Sequence, residues 1–405
     1  MPPVGFPSFR LSAQMYLKAH FDGIVRRVES GSLVAPRNFV YLFPSIIIFT
    51  KTPTHYAFEL FGARRRYGSL KSKVHEAPSF GRLLGDFEYD GSTAYMFTFE
   101  DGESRAGPRI ISRMALTAQR TLDALDSRFP GVVDLYPTKL LRVVGADIEC
   151  IKLTEGSGLN GPLIIDDCLI ANSLGPLVRA RYTNLFFAAP TDINSKELSE
   201  AFDQLTRGPN HLPGILHVRR GHQEMVAQSG QFANLYLQGA KEPTLTQFLE
   251  DHAEIVRRAL RASSIFFQPD LLWHEGNPDP TEEAIQPDMI LRRQDGTWLI
   301  IDFKLPLLHK GSITTGGHRR RRFTYTIADG IAQLHNYREF FQYQANRQKA
   351  AAKLAAEVHD PQLMLVVGTS ENVDLTEVSE AMRALKPIDI VDYDTLIRLA
   401  AAPSA

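Results

Sequence analysis

The sequence predicts an α+β region over about residues 1–235, followed over about 240–405 by an α/β domain whose mixed sheet is flanked by helices. Three observations carry this. Before about residue 240, short apolar runs alternate with Gly and Pro turns, the texture of strands joined by irregular connections. Across "QSGQFANLYLQGAKEPT" (228–244) the texture changes, and Gly239 and Pro243 flank a linker or helix entry. Beyond it the order reads helix, three strands, helix, strand, and a helix crossing between strands favours a mixed sheet covered by helices.

Length and composition agree with this division. The chain has 405 residues, 44% of them hydrophobic, enough to bury more than one core. Its 45 basic and 46 acidic residues exclude a histone-like polycation and leave room for a local basic patch. Cys150 and Cys168 lie among apolar residues with no Cys or His at metal-ligand spacing, so both read as buried free thiols of a cytoplasmic protein. The start "MPPVGFPSFR" has no signal-peptide pattern. "FVYLFPSIIIF" (39–49) is too short to span a bilayer, so no membrane partner is expected.

In the first region "FVYLF", "SIIIFT", "HYAFELF" and "TAYMFTFE" read as strands. "RIISRMALTAQRTLDALDSRF" (109–129) has helical apolar spacing and reads as an amphipathic helix, with later strands at 145–152, 162–171 and 183–188. The region amounts to one or two subdomains. In the second, Thr244 is placed to cap a helix through "LTQFLEDHAEIVRRALRAS", with Gln247 at the capping-box position. Strands follow at "DLLWHE" (270–275), "DMILRR" and "TWLIIDF", the last two joined by "QDG". A basic loop (310–322) leads into a long helix through "IADGIAQLHNYREFFQYQ". The strand "QLMLVVG", the helix "LTEVSEAMRAL", the strand "DIVDY" and a closing helix complete the domain.

The chemistry concentrates in "QPDMILRRQDGTWLIIDFK" (286–304). Asp288 opens one strand and Asp302 closes the next across a Gly turn, so an antiparallel hairpin sets them side by side. Asp302 and Lys304 share a parity and point to one face, while Phe303 points to the other. Two carboxylates can hold Mg²⁺, and an ammonium beside them can position water and offset charge on a phosphate. The competing reading is a polar strand end with no catalytic role. The other Pro-Asp pairs, at 269–270 and 278–279, precede no comparable strand and read as turns. On the following helix Gln333 and Tyr337 share a face at i, i+4. Glu250, Glu254 and, just ahead of the preceding helix, Glu242 offer a third carboxylate or a solvated charged face.

The set "PD", "DFK" and "QLHNY", in that order, resembles the PD-(D/E)xK nuclease superfamily in its Q-x-x-x-Y variety. More closely, "PDMILRRQDGTWLIIDFKLP" with "IAQLHNYREFF" and "TQFLEDHAEIV" resembles the nuclease domain of the Shedu family, bacterial single-protein anti-phage defence nucleases. The resemblance covers roughly residues 240–400. It implies a restriction-endonuclease-like domain that cuts double-stranded DNA with Mg²⁺, or Mn²⁺ in its place. Asp288 and Asp302 would ligate the metal, Lys304 would be the catalytic lysine, Gln333 would sit by the substrate or metal shell, and Tyr337 would support the helix. Many relatives have Glu at the position of Asp302, and the shorter side chain draws that ligand inward by one methylene. Of the glutamates, Glu250 is the first candidate for the third acid and Glu242 the second. The resemblance further implies a homo-oligomer, a tetramer, with an N-terminal region that senses or regulates.

The loop "KGSITTGGHRRRRF" (310–323) carries Arg319, Arg320, Arg321 and Arg322, with Gly316 and Gly317 to let it move. A charge run is commonly a solvated loop. Its place beside the metal-site residues favours phosphate contact without base readout, with His318 as a weaker contributor. The two leading readings are therefore a metal-dependent DNA endonuclease and a DNA-binding or end-sensing module that cuts only when triggered.

Overall fold

The computed structural model describes residues 1–80, 83, 87–89, 92–94, 109–112, 114–116, 142–143, 161–174, 177–205, 212–317, 320–383, 385 and 387–402. The chain divides into two compact units, Met1–Gln238 and Gly239–Ala405, each mixing helices with strands.

The first unit opens with α1 (Phe6–Glu29), entered through a Pro in its first turn, where a missing N–H costs nothing. Phe9, Ala13, Leu17, Phe21 and Ile24 recur at helical spacing, and this stripe is buried in a core with Phe49, Phe58 and Phe187. The strands are β1 (Phe39–Leu42), β2 (Ile46–Lys51), β3 (His55–Phe61), β4 (Lys71–Glu76), β5 (Phe87–Tyr89), β6 (Ser92–Ala94), β7 (Arg109–Ser112), β8 (Met114–Leu116), β9 (Arg142–Val143), β10 (Leu163–Leu174), β11 (Leu177–Pro190) and β12 (Leu216–Arg219). The main sheet runs β4-β2-β3-β11-β10-β8-β9, with β7 also on β10. α2 (Ser195–Leu205) and α3 (His222–Leu237) complete the unit.

One expectation fails here. Residues 109–112 and 114–116 are strands parallel to β10, not the start of a helix. Ile110 and Ile111 suit a strand, and the partner edge of β10 outweighs the local helical spacing. Residues 117–129, the expected strand at 145–152, Cys150 and the tail of "TAYMFTFE" lie outside the described residues. Cys168 is buried, and its Sγ donates to the Asp166 carbonyl.

The second unit begins with α4 (Glu242–Asp251) and α5 (Glu254–Leu260). The single helix expected here is therefore two. It breaks at His252, whose ring stacks on Phe248 and whose Nδ1 bonds the Phe248 carbonyl. Lys241, not Thr244, is the N-cap of α4, so Thr244 is a buried helical residue. Gln247 bonds Glu250 and Asp251 instead of closing a capping box. Arg261, in the left-handed region, ends α5 and releases β13 (Ala262–Phe267), a strand not expected from the sequence, which placed Ala262 and Ser263 in the helix tail.

Then come β14 (Leu271–Leu272), β15 (Ala284–Ile285), β16 (Met289–Arg293), β17 (Trp298–Phe303), β18 (Thr314–Thr315), β19 (Arg322–Phe323), α6 (Tyr325–Phe340), α7 (Gln344–Leu354), β20 (Gln362–Val366), α8 (Leu375–Met382), β21 (Asp389–Val391) and α9 (Tyr393–Ala401). The sheet order is β13-β16-β17-β20-β21. It is antiparallel from β13 to β17 and parallel from β17 to β21, the mixed sheet expected from a helical crossover. The "DLLWHE" strand shrinks to the two-residue β14. Asp374 and Asp392 cap α8 and α9 by accepting from Glu377 N–H and Thr395 N–H.

β17 lies between β16 and β20 and is buried along its length. Trp298 and Ile300 pack with Ile327, Ile331 and Leu334 of α6. Strand alternation carries that parity on to Asp302 and Lys304, so both emerge on the α6 side where β17 ends. Phe303 turns to the other face and stacks on Tyr393.

Candidate functional site

The register of β16 against β17 pairs Met289 with Ile301 and Arg292 with Trp298. Continued by one residue, it sets Asp288 opposite Asp302. Phe303 N–H donates to Asp288 Oδ2 at 2.8 Å, and Gln268 N–H donates to the Asp288 carbonyl. The Gln268 side chain also bonds the Asp288 carboxylate. Asp302 is 3% exposed. Lys304 Nζ lies 2.8 Å from Asp302 Oδ2, an ion-pair distance, but its aligned hydrogen bond goes to Gln333 Oε1 at 3.0 Å. Asp302 Oδ2 is thus buried without a well-directed hydrogen bond.

Gln333 is fixed at both ends. Its carbonyl accepts from Lys304, so its amide Nε2 donates to Tyr337 Oη at 2.6 Å, and Tyr337 passes a longer bond to the Gln286 carbonyl. The i, i+4 pair on α6 is a relay that aims the lysine. The Lys304 backbone is held as firmly: its N–H donates to Val366, and Tyr393 Oη donates to its carbonyl at 2.8 Å. α6 reaches the lysine through Gly330. A Cβ there would stand 3.0 Å from Lys304 Cε and 3.2 Å from Leu365 Cδ1.

The third carboxylate is Glu242. Its Oε1 accepts from Leu305 N–H at 3.0 Å, and its charge acts on Lys304, Asp288 and Asp302. Glu250 is exposed, takes a bond from Gln247, and is not among the charges acting on that set. Glu254 pairs with Arg257 on its own helix.

The electrostatics follow from crowding acids in a dry place. Burial, then the charge of Asp288, pushes the Asp302 carboxyl up to about 7, against the bond and charge of Lys304. Burial raises Asp288 as well, opposed by the Phe303 N–H and by Lys304. Burial likewise raises Glu242. Burial pulls Lys304 down, but the bond to Asp302 and three nearby negative charges outweigh it, so its ammonium titrates above the usual lysine range. Burial, then the charge of Asp302, raises Tyr337, which is neutral at any ordinary pH.

The donor set fits a hard divalent cation. Among the described residues no three His, Cys, Asp or Glu side chains gather tightly enough to ligate an ion unaided. Mg²⁺ is usually held by one or two carboxylates, with waters and substrate oxygens completing its shell. Asp288 and Asp302 could supply those carboxylates, and Asp302 Oδ2 faces the Lys304 ammonium without an aligned hydrogen bond.

The basic loop divides. Arg321 is taken: it pairs with Glu377 at 2.7 Å and Glu380 at 3.0 Å and donates to Thr314 Oγ1. Its expected role on phosphate is therefore replaced by one that fastens the β18–β19 hairpin to α8. Arg320 and Arg322 are exposed, and His318 and Arg319 lie outside the described residues. Sequence reasoning missed Gln268, Gly330 and Tyr393. Gln268 and Tyr393 are far from the motif in sequence, and only the sheet and α9 bring them to it. No protein-family model matches the chain, and no curated protein matches it.

Proposed function

We propose that Gly239–Ala405 is a PD-(D/E)xK nuclease domain that hydrolyses phosphodiesters in double-stranded DNA with Mg²⁺ or Mn²⁺. The observation that carries this reading is the meeting of Asp288, Asp302 and Lys304 at neighbouring strand ends, with Gln333 aiming the lysine. A cation bound by the two carboxylates would polarise the phosphate and ease deprotonation of water. Lys304 supplies a second positive charge, held in place, for the attacking water or the five-coordinate phosphorus. Gln333 and Tyr337 keep its donor directed into the site, and Glu242 holds the backbone at Leu305. The resemblance to Shedu nucleases extends the proposal to anti-phage defence by a cytoplasmic homotetramer. Among the described residues no helix is long and apolar enough to cross a membrane.

A second reading has its own observation. Lys304 Nζ lies 2.8 Å from Asp302 Oδ2, the oxygen a cation would take, as suits a DNA-binding module that cuts only once a trigger opens that pair. One assay separates the two. Closed circular and linear duplex DNA are incubated with the full chain in Mg²⁺ or EDTA, for wild type and Asp302→Ala. Metal-dependent cutting that disappears in the variant supports the nuclease. Binding without cutting under every condition supports the triggered module. Equal cutting by both proteins would remove Asp302 from the site.

A further inference from the structure

Tyr325 begins α6 with 85% of its surface exposed, although the same helix buries Ile327, Ile331, Leu334 and Phe340. A single exposed aromatic is ordinary on a protein surface. Its surroundings set this one apart. Arg322 in β19 and Arg320 just before it are exposed, whereas Arg321 between them turns onto α8 and is neutralised by two glutamates. The two arginines left for solvent thus lie five and three residues before an aromatic ring left for solvent. Along α6, Gln333 stands eight residues on, about 12 Å at the helical rise. That is roughly three to four base steps of a DNA strand.

A positive strip with an interleaved aromatic is the combination that holds an unpaired strand: charge tracks the backbone and the ring stacks on a base. A paired base inside a duplex offers only its edges, because its faces are already covered by neighbours. A tyrosine ring therefore adds little to duplex binding and much to binding of a base whose face is free. We propose that Tyr325, Arg320 and Arg322 form a stacking platform for an unpaired stretch of DNA next to the Lys304 site. The arginines would take the phosphates and Tyr325 one base. The proposal rests on the nuclease reading above and names the form of DNA that the site prefers.

The test uses the full chain in EDTA with three fluorescent probes. They are a dumbbell duplex closed at both ends, the same dumbbell with an internal bubble, and a single strand. Tyr325→Ala is expected to lose about tenfold in affinity for the bubble and the single strand and less than about twofold for the closed dumbbell. Tyr325→Phe should bind as wild type, since it keeps the ring. Arg322→Ala should weaken all three and flatten the salt dependence. An equal effect of Tyr325→Ala on all probes, or no effect, overturns the platform. So does a change of oligomeric state in Tyr325→Ala, seen by sedimentation, which would make the ring a subunit contact. The nuclease reading fails separately: wild type that neither binds these probes nor cuts duplex DNA in Mg²⁺ sinks both. Wild type that cuts DNA while Tyr325→Ala binds normally sinks the platform alone.

Discussion

Each unit buries a carboxylate at 3% exposure, and the two are treated in opposite ways. In Met1–Gln238, Glu59 on β3 receives one amide from Asn234 at 2.9 Å and another from Gln238 at 2.6 Å. Each oxygen has a neutral donor on or just after α3. In Gly239–Ala405, Asp302 faces Asp288 and Glu242, and its Oδ2 has an ion pair but no aligned hydrogen bond. Glu59 shows how this chain buries an acid for structure. Asp302 shows an acid kept incompletely satisfied among like charges, which is costly to the fold and useful to chemistry. Burial alone therefore marks no candidate site; the crowding of neighbouring acids around one ammonium does.

The largest expected difference is in activity. Asp302→Ala and Lys304→Ala should each lower DNA cleavage by about a thousandfold or more, the scale of losing a principal electrostatic group. Glu59→Gln should leave the rate within about twofold while costing about 1–3 kcal/mol of stability, because one of two amide donors then faces another amide. Rates on plasmid DNA and unfolding curves for the three variants test the pair together. A Glu59→Gln protein that folds and fails to cut would erase the contrast.

The next effect is on stability, with the sign reversed from the usual mutation. The Asp302 carboxyl is pushed from 3.8 to about 7 in the folded chain. The folded state then binds a proton more tightly than the unfolded one. Its contribution to stability is full below about pH 4 and is lost as pH rises through about 7. In metal-free buffer, Asp302→Asn should therefore melt several degrees above wild type at pH 8, and the gap should narrow towards pH 5. Added Mg²⁺ should raise the wild-type melting temperature at pH 8 and leave Asp302→Asn nearly unchanged, since a ligand that binds only the folded state stabilises it. A wild type that gains nothing from Mg²⁺ or Mn²⁺ would leave the carboxylates without the cation proposed for them.

How much of this was legible in the sequence depends on how far apart the partners lie. Asp288 and Asp302 are joined by one hairpin, and strand alternation alone sets Lys304 beside Asp302. Gln333 and Tyr337 are one helical turn apart, so their shared face could be read as well. Arg321 was read as free because the glutamates that hold it lie on α8, one of them fifty-nine residues later. Glu250 looked the better acid by its place inside a helix. Glu242, in the first turn of α4, is the one whose carboxylate reaches Leu305 N–H. The strands at 109–112 and 114–116 carry apolar residues that fit a helix equally well until β10 offers an edge.

The smallest effect probes how closely Lys304 must be held. Gly330→Ala adds one methyl group, 3.0 Å from Lys304 Cε and 3.2 Å from Leu365 Cδ1, both tighter than ordinary contact. Alanine favours the helix by about 1 kcal/mol over glycine, so part of the steric cost is offset and the protein should remain folded. The lysine stem is flexible and should yield first, drawing Nζ off Gln333. Cleavage should fall about tenfold with DNA affinity unchanged, because a shift of about 1 Å in a catalytic group is worth that much or more. Leu365→Val separates the two contacts. Added to Gly330→Ala, it gives the new methyl space on the leucine side only. If the double variant regains melting temperature but not rate, the methyl acts through Lys304. If rate returns together with stability, the loss came from packing against β20, and the glycine serves the core and not the lysine.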